Sequence, residues 1–401
     1  MKSQRPFHFE DRPVKVPEGL ERRYQLPEDT MTGYFYSPRG DRLSFTACIP
    51  ENAWHTAIVE IGTSQIAEDW AILMHANAKA GIATIVPERF NHGCSAKSFP
   101  ETPERLGARP FPEMSENLFH AITELANPLI AEYAAPDSRK TLIMASQGCA
   151  VGAPCLQKYP GIVDQAMFFV PMIAQHELMA KHRWGMIADR RMNSKLRSLY
   201  GEEPTPDMVY PTEYEERCDE RMSNMGDYNP AIRYRDRDLN PGLDCYRITK
   251  EWIDHGADGC KIVQDPAVPR GIEIPSLVLT AYSDRHAKKG GDECVVNSEA
   301  YKFSSELPNS GHIEIDAEHD LFSEHDGVLG FVKDTIHQFA EDAQSVIDDN
   351  PSPTMGRFFS RAVNLDRVSI PPPTATSSPS RETATPAPSG FGSQVLEPSS
   401  A

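Results

Sequence analysis

Short apolar runs alternate with segments of helical periodicity through the first 170 residues, and this alternation constrains the fold more than any other feature of the chain. The run at 56–61 ends at Gly62, residues 70–80 have apolar side chains at helical spacing, and a second apolar run follows at 82–86. A longer helical pattern covers 113–134. An order of strand, helix and strand predicts an α/β fold, in which a mostly parallel sheet is flanked by helices.

The predicted sheet begins with a hairpin and is interrupted once. Strands at 33–37 and 43–49 form the hairpin, and strand signals after residue 171 resume only at 274–280 and 312–315. The interval between them is rich in charged residues and predicts a helical insertion. The chain is therefore expected to comprise an N-terminal extension (1–31), a first core part (32–171), a helical insertion (172–271), a second core part (272–346) and a Pro/Ser/Thr-rich tail (347–401). The tail has too few apolar groups to fold, which predicts disorder.

Composition excludes several classes of partner. The 401 residues carry a net charge of −18, so neither nucleic acid nor an anionic membrane is expected as an electrostatically bound partner. The eight cysteines include no C-x-x-C pair, which argues against a zinc ribbon or a redox motif and favours reduced thiols in a cytoplasm. The first 13 residues lack the apolar run of a signal peptide, and no apolar stretch approaches the ~20 residues that span a bilayer. We expect a cytoplasmic protein without stable membrane insertion.

Ser146 lies where an apolar run stops and a helix-compatible segment begins, within residues 140–150. A sharp turn from strand to helix presents a serine hydroxyl to substrate, and Gly148 supplies the room that such a turn needs. Met144 departs from the pattern, which has a small residue at that position. The residues alone allow two interpretations, a catalytic nucleophile or a serine that caps the following helix.

An acid and a histidine follow in the chain order Ser, Asp, His. Asp284 comes directly after the strand predicted at 274–280, and His319 comes just after the strand at 312–315. Both positions are at the carboxyl ends of predicted strands, where open α/β sheets place their sites. The segment 290–296 also has the character of an acid-bearing turn, so Glu293 is an alternative to Asp284, which is preferred because it is closer to the strand end.

Taken in order, these motifs resemble the α/β-hydrolase superfamily over about residues 32–342, and within it the bacterial lysophospholipase and monoacylglycerol lipase-like serine hydrolases. The motifs that carry the resemblance are Ile61-Gly62-Thr63 in place of the oxyanion loop, residues 88–95 in place of the Arg-Gly-x-Gly-x-Ser turn, the turn at Ser146, residues 156–161, and residues 170–172 opening the lid. The resemblance implies an α/β-hydrolase fold with a helical lid. It also implies a nucleophile at Ser146, an acid at Asp284, a base at His319, and an oxyanion hole formed by the backbone N–H groups of Thr63 and Gln147.

The implied activity is hydrolysis of a carboxylic ester, of a lysophospholipid or a monoacylglycerol, with a small-molecule or lipid ester as the partner and no cofactor. An amide hydrolase of the proline-iminopeptidase type is an alternative, because the same triad cleaves both bonds. A non-catalytic binding protein on this fold is another, because Met144 and Ile61 depart from the family pattern. No metal is expected, since His319 and His325 are six residues apart and lack the i, i+4 spacing of a helical zinc pair. The oligomeric state is left open.

Overall fold

The fold is known from a computed structural model of the 401-residue chain. The structure describes residues 5–12, 14–16, 18, 21–103, 105–175, 240, 243, 247–284, 291–292, 294–323 and 326–352.

One sheet of nine strands organises the described part of the chain, in the spatial order β1-β2-β3-β5-β4-β7-β8-β10-β11. The strands are β1 (Phe7–Phe9), β2 (Met31–Tyr36), β3 (Arg42–Cys48), β4 (His55–Glu60), β5 (Ile82–Pro87), β6 (Arg105–Leu106), β7 (Arg139–Ala145), β8 (Gln165–Phe169), β9 (Arg247–Ile248), β10 (Ser276–Tyr282) and β11 (Ser310–Asp316). The first three pairings, which run from β1 to β5, are antiparallel, and the pairings from β5 to β11 are parallel. The short strands β6 and β9 pair separately.

Helices connect the parallel strands, as the sequence predicts. They are α1 (Glu21–Tyr24), α2 (Ala71–Lys79), α3 (Phe111–His120), α4 (Asn127–Tyr133), α5 (Gln147–Lys158), α6 (Lys250–Val263), α7 (Ala267–Arg270), α8 (Asn297–Glu306), α9 (Asp326–Glu341) and α10 (Ala343–Asp349), with short 3₁₀ turns at Ala67–Trp70 and Leu321–Ser323. The single helix predicted over 113–134 is α3 and α4 joined by a π-helical stretch at Ala121–Ala126. Pro128 follows this stretch and has no backbone N–H to donate to a preceding turn.

Apolar side chains cover both faces of the sheet, which explains why the parallel strands are apolar throughout. Successive residues of a strand point to opposite faces. Ile58 and Phe168 therefore belong to one core cluster, together with residues of α3, α5 and α6, while Val59 and Phe169 belong to a second cluster with residues of α2 and α9. The structure confirms the predicted α/β architecture, and it leaves the carboxyl ends of the parallel strands free to carry a site.

The N-terminal extension contains structure that the sequence analysis did not predict. β1 adds a strand to the edge of the sheet by pairing with β2. Beyond it, the guanidinium of Arg12 is buried between two buried carboxylates, with Nε 2.6 Å from Glu68 and Nη2 2.7 Å from Glu88. Buried ion pairs with residues far away in sequence therefore bind this segment to the core.

The predicted insertion and tail fall mostly outside the described residues. Residues 176–239 and 353–401 are not described, whereas α6 lies in the C-terminal part of the predicted insertion. The boundary predicted at residue 347 falls inside α10, where Ile347 is buried, and Pro351 forms a β-bridge with Gly311. Among the described helices, none has the length and apolar character needed to cross a bilayer.

Candidate active site

Ser146 lies in a strained turn between β7 and α5. Its φ of 46° and ψ of −112° belong to a region that residues with a side chain rarely adopt. The backbone N–H of Ser146 donates to the carbonyl of Phe169, at the end of β8, over 2.9 Å. Ser146 occupies the N-cap position of α5, yet its side chain makes no capping hydrogen bond and instead contacts His319. The hydroxyl is thus directed away from the helix that it precedes.

Two glycines allow this turn to pack. A Cβ atom on Gly148 would lie 2.3 Å from the carbonyl oxygen of Glu60, so β4 and α5 approach closely only because this position is glycine, as predicted. The fully buried side chain of Met144 lies over Gly152, where a Cβ atom would be 2.3 Å from the Met144 sulfur. The large residue that departs from the family pattern is therefore accommodated one turn into α5.

His319 lies between Ser146 and an acid, and the three side chains form a continuous hydrogen-bonded chain. Its Nε2 atom is 3.0 Å from the Ser146 Oγ, and its Nδ1 atom is 2.9 Å from Oδ2 of Asp292. The structure thus brings Ser146 and His319 together, as the chain order predicts. The group at Nδ1 is Asp292, which the sequence analysis did not select.

Asp292 is held as a carboxylate. Its side chain is fully buried, and Oδ1 accepts hydrogen bonds from the backbone N–H groups of Cys294 and Val295 at 2.7 and 2.9 Å. Burial by itself raises the pKa of Asp292, but the charge of His319 and the hydrogen bonds from its ring and from the two N–H groups outweigh this effect and lower the pKa. An ionised Asp292 keeps the proton of a neutral His319 on Nδ1, which leaves the Nε2 lone pair facing Ser146.

The prediction that Asp284 contacts His319 is therefore wrong. Asp284 is exposed and lies two residues beyond the end of β10. The chain leaves the strand there and returns at Gly291, whose carbonyl accepts a hydrogen bond from the N–H of Ser283 over 2.6 Å. The return places residue 292 beside the strand end, even though it is farther along the chain. Glu293, the alternative, lies outside the described residues.

The sequence contained a signal for the acid that lies beside His319. Gly291 has a φ of 97°, and a Cβ atom there would lie 2.0 Å from the ring of Tyr282. Only glycine fits this close return beside β10. Gly291 therefore marks where the chain comes back, and the residue directly after it is Asp292.

The two positions expected to form an oxyanion hole are adjacent in the structure. Thr63 follows the end of β4 by three residues, and its hydroxyl donates to the side-chain oxygen of Gln147 over 3.1 Å. Gln147 is the first residue of α5, so its backbone N–H has no acceptor within the helix. The loop after β4 thus contacts the residue that directly follows Ser146.

The same site offers donor atoms to a metal. One donor atom each of Asp292, Cys294 and His319 lies within 4.8 Å of the others. Asp292 and His319 are already hydrogen-bonded to each other, so a cation bound there would compete with the Ser-His-Asp chain. His325, also weighed from the sequence, lies outside the described residues.

Comparison with solved structures identifies the architecture. A soluble variant of a monoglyceride lipase from Saccharomyces cerevisiae matches with a TM-score of 0.56 at 10% identity, over 82% of this chain and 99% of that chain. A carboxyl esterase from Bacillus coagulans matches with a TM-score of 0.54 at 12% identity, over 80% and 100% of the two chains. An α/β-hydrolase from a Penicillium species matches with a TM-score of 0.52 at 15% identity, again over 80% and 100%. This chain has the α/β-hydrolase fold.

At the level of sequence, no protein-family model matches the chain, and no curated protein matches it significantly. The α/β-hydrolase fold nevertheless accounts for how distant residues meet. Ser146, Asp292 and His319 follow β7, β10 and β11, whose carboxyl ends lie at one edge of the sheet.

Proposed function

We propose that this protein is a serine hydrolase that cleaves a carboxylic ester, of a lysophospholipid or a monoacylglycerol, with Ser146 as nucleophile, His319 as base and Asp292 as the orienting acid. The observation that carries the proposal is the continuous chain of hydrogen bonds from the Ser146 hydroxyl through His319 to the buried Asp292. A serine hydroxyl is a weak nucleophile unless a base accepts its proton, and the base must hold the correct tautomer. The contacts of His319 with Ser146 and with Asp292 support both requirements.

In the proposed reaction the Ser146 oxygen attacks the ester carbonyl while its proton passes to Nε2 of His319. Asp292 stabilises the imidazolium that forms, because its carboxylate remains ionised and accepts a hydrogen bond from the Nδ1–H group. His319 then returns the proton to the departing alkoxide, which leaves an acyl group on Ser146. A water molecule, deprotonated by His319, hydrolyses the acyl-enzyme by the same steps in reverse order. The backbone N–H groups of Thr63 and Gln147 would bind the oxyanion of each tetrahedral intermediate.

The substrate class is supported by the solved structures that share the fold. Those named above include a monoglyceride lipase and a carboxyl esterase. A Ser-His-Asp triad alone does not set the substrate, because the same three groups cleave esters and amides. The choice of a glycerol-based ester is therefore the most specific part of the proposal and needs its own measurement.

Labelling with a fluorophosphonate probe tests the chemistry, because the probe reacts only with an activated serine. We expect the wild type to be labelled and Ser146→Ala to remain unlabelled at the same melting temperature. Hydrolysis is then compared across monoacylglycerols, lysophospholipids, p-nitrophenyl esters and a prolyl amide. An unlabelled, correctly folded wild type would identify a binding protein on this fold. Labelling with turnover of the prolyl amide alone would identify an iminopeptidase.

A further inference from the structure

A buried arginine joins the two segments that carry the expected oxyanion donors. Arg89 follows the end of β5 and has only 7% of its surface exposed. Its Nη2 atom donates to the backbone carbonyl of Gly62 over 2.8 Å and to the side-chain oxygen of Gln147 over 3.1 Å. Gly62 precedes Thr63 in the loop after β4, and Gln147 follows Ser146, so one nitrogen holds both sides of the site.

The contact with Gly62 fixes the direction of an N–H group. The carbonyl of Gly62 and the N–H of Thr63 belong to the same peptide unit, which is planar and trans, so the two groups point in opposite directions. A hydrogen bond that holds the carbonyl on one side therefore sets where the N–H points on the other. Because the donor is a cation, the bond also polarises the peptide and strengthens the N–H of Thr63 as a donor.

The side chain of Gln147 links Arg89 to Thr63. The same side-chain oxygen of Gln147 accepts from Arg89 and from the hydroxyl of Thr63, both at 3.1 Å. The loop after β4 and the first turn of α5 are thus connected at two points through one oxygen atom. The pairing of β4 with β7 ends at Glu60 and Met144, and among the described residues no backbone hydrogen bond joins the two segments beyond it, so these side-chain contacts link them there.

The guanidinium of Arg89 faces a buried carboxyl group and a buried imidazole. Its Nη1 atom lies 3.2 Å from a carboxylate oxygen of Glu60, the last residue of β4, which is 2% exposed. His92 is buried with Nε2 3.3 Å from Nη2 of Arg89 and Nδ1 3.1 Å from the carbonyl of Phe90. Burial and the charge of Arg89 lower the pKa of His92, so its ring is neutral, with Nδ1 donating and Nε2 accepting. Arg89 is therefore held by acceptors at Nη2 and lies at ion-pair distance from Glu60 at Nη1.

We infer that Arg89 is the positioning residue of the oxyanion hole, setting the separation and direction of the Thr63 and Gln147 N–H groups. The inference rests on the proposed function. Its physical reason is that an oxyanion hole stabilises charge only when its donors are held before the reaction, and a planar guanidinium can bind two acceptors at a fixed angle. An ammonium group at the same place keeps the charge but loses this geometry.

The test compares Arg89→Lys with a matched control, Arg139→Lys. Arg139 also donates to two backbone carbonyls, of Ala340 at 2.7 Å and Glu341 at 3.1 Å, but it lies at the opposite end of β7. Both variants keep the charge and lose two guanidinium hydrogen bonds, although Arg139 is exposed and Arg89 is buried. We expect Arg89→Lys to lower kcat on a p-nitrophenyl ester by about 10- to 100-fold with KM changed by less than about threefold. Affinity for a trifluoromethyl ketone, which becomes an oxyanion when Ser146 adds to it, should fall by a similar factor.

Arg139→Lys is expected to keep both kcat and ketone affinity near the wild-type values. The melting temperature of each variant is measured alongside, and kcat is compared well below it, so that a loss of stability is separated from a loss of rate. If Arg89→Lys does not fold, Gln147→Met decides, because it removes the shared side-chain oxygen and leaves the backbone N–H. A fall in kcat at unchanged KM in either variant supports the inference. Wild-type kcat and ketone affinity in the folded variants overturn it, while an inactive, unlabelled wild type overturns the proposed function itself.

Discussion

The backbone N–H of Ser283 donates a 2.6 Å hydrogen bond to the carbonyl oxygen of Gly291, so the two ends of the segment 283–291 meet. Residue 292 consequently sits beside the end of β10, within hydrogen-bond distance of His319. The position of the acid in this site is thus set by a contact between residues eight apart in sequence, not by the distance along the chain from the strand.

The acid is tested by a pair of variants. Asp292→Asn keeps the shape of the side chain but favours the imidazole tautomer with its proton on Nε2, which in a Ser-His-Asp triad lowers kcat by about 10⁴. Asp284→Asn is the matched control, since Asp284 is exposed and lies within the segment 283–291. We expect the control to retain kcat within about threefold of the wild type on a p-nitrophenyl ester. The reverse pattern would return the role to Asp284.

The close approach of Gly291 to Tyr282 is tested by substituting the glycine. Gly291→Ala places a methyl group against the ring of Tyr282, 2.0 Å away before relaxation, at a φ of 97°. We expect a loss of activity together with a loss of stability of about 2–4 kcal/mol, because Asp292 must move with the backbone. Gly40→Ala has a similar φ of 86° but open space around it, so it should cost only about 1 kcal/mol and leave kcat unchanged. Urea denaturation and ester kinetics on both variants measure the difference, and equal losses in the two would argue against the contact with Tyr282.

Much of the fold follows from the sequence because its parallel strands are apolar on both faces. The strands predicted at 82–86 and 312–315 are β5 (Ile82–Pro87) and β11 (Ser310–Asp316) in the structure. Ser146 and His319 could be placed at the ends of strands for the same reason. The apolar runs show which residues lie on strands and which residues begin the connections that follow the strands.

Features that depend on contacts between distant residues could not be predicted in this way. β1 has only three residues, too few for a periodic pattern, and Arg12 is recognisable as a buried residue only once Glu68 and Glu88 are beside it. Asp292 was missed for a related reason, since the return of the chain at Gly291 depends on packing against Tyr282.

The strain at the nucleophile predicts that removing the side chain stabilises the protein. With φ of 46° and ψ of −112°, Ser146 is in a conformation that glycine adopts without penalty. We expect Ser146→Gly to be more stable than Ser146→Ala by about 1 kcal/mol, after allowance for the greater entropy of unfolded glycine. Both variants should lack esterase activity. Thermal unfolding should give a melting temperature about 1–2 °C higher for the glycine variant, and an alanine variant of equal or greater stability would show that the turn is unstrained.

The ion pairs of the N-terminal extension are expected to contribute strongly to stability. Arg12→Met leaves the carboxylates of Glu68 and Glu88 buried without their cation, which typically costs about 3–5 kcal/mol. Arg5→Met is the matched control, because Arg5 pairs with Glu132 while both side chains remain well exposed, and such pairs contribute about 0–1 kcal/mol. Urea denaturation should separate the two variants clearly. A cost below about 1 kcal/mol for Arg12→Met would mean that water replaces the guanidinium.

The buried pair behind the oxyanion loop predicts a pH dependence of stability. Burial raises the pKa of Glu60 from an ordinary value of 4.5 to about 7, although Arg89 lowers it. Between these two values the folded protein binds more protons at Glu60 than the unfolded chain, so this contribution to stability is complete below about pH 4.5 and is lost as the pH rises through about 7. The free energy of unfolding of the wild type, relative to that of Glu60→Gln, should therefore fall by about 3 kcal/mol between pH 4.5 and pH 8. Groups that titrate equally in both proteins cancel in this difference. Urea denaturation across the range measures it, and a difference that rises with pH would show instead that Arg89 keeps Glu60 ionised in the folded protein.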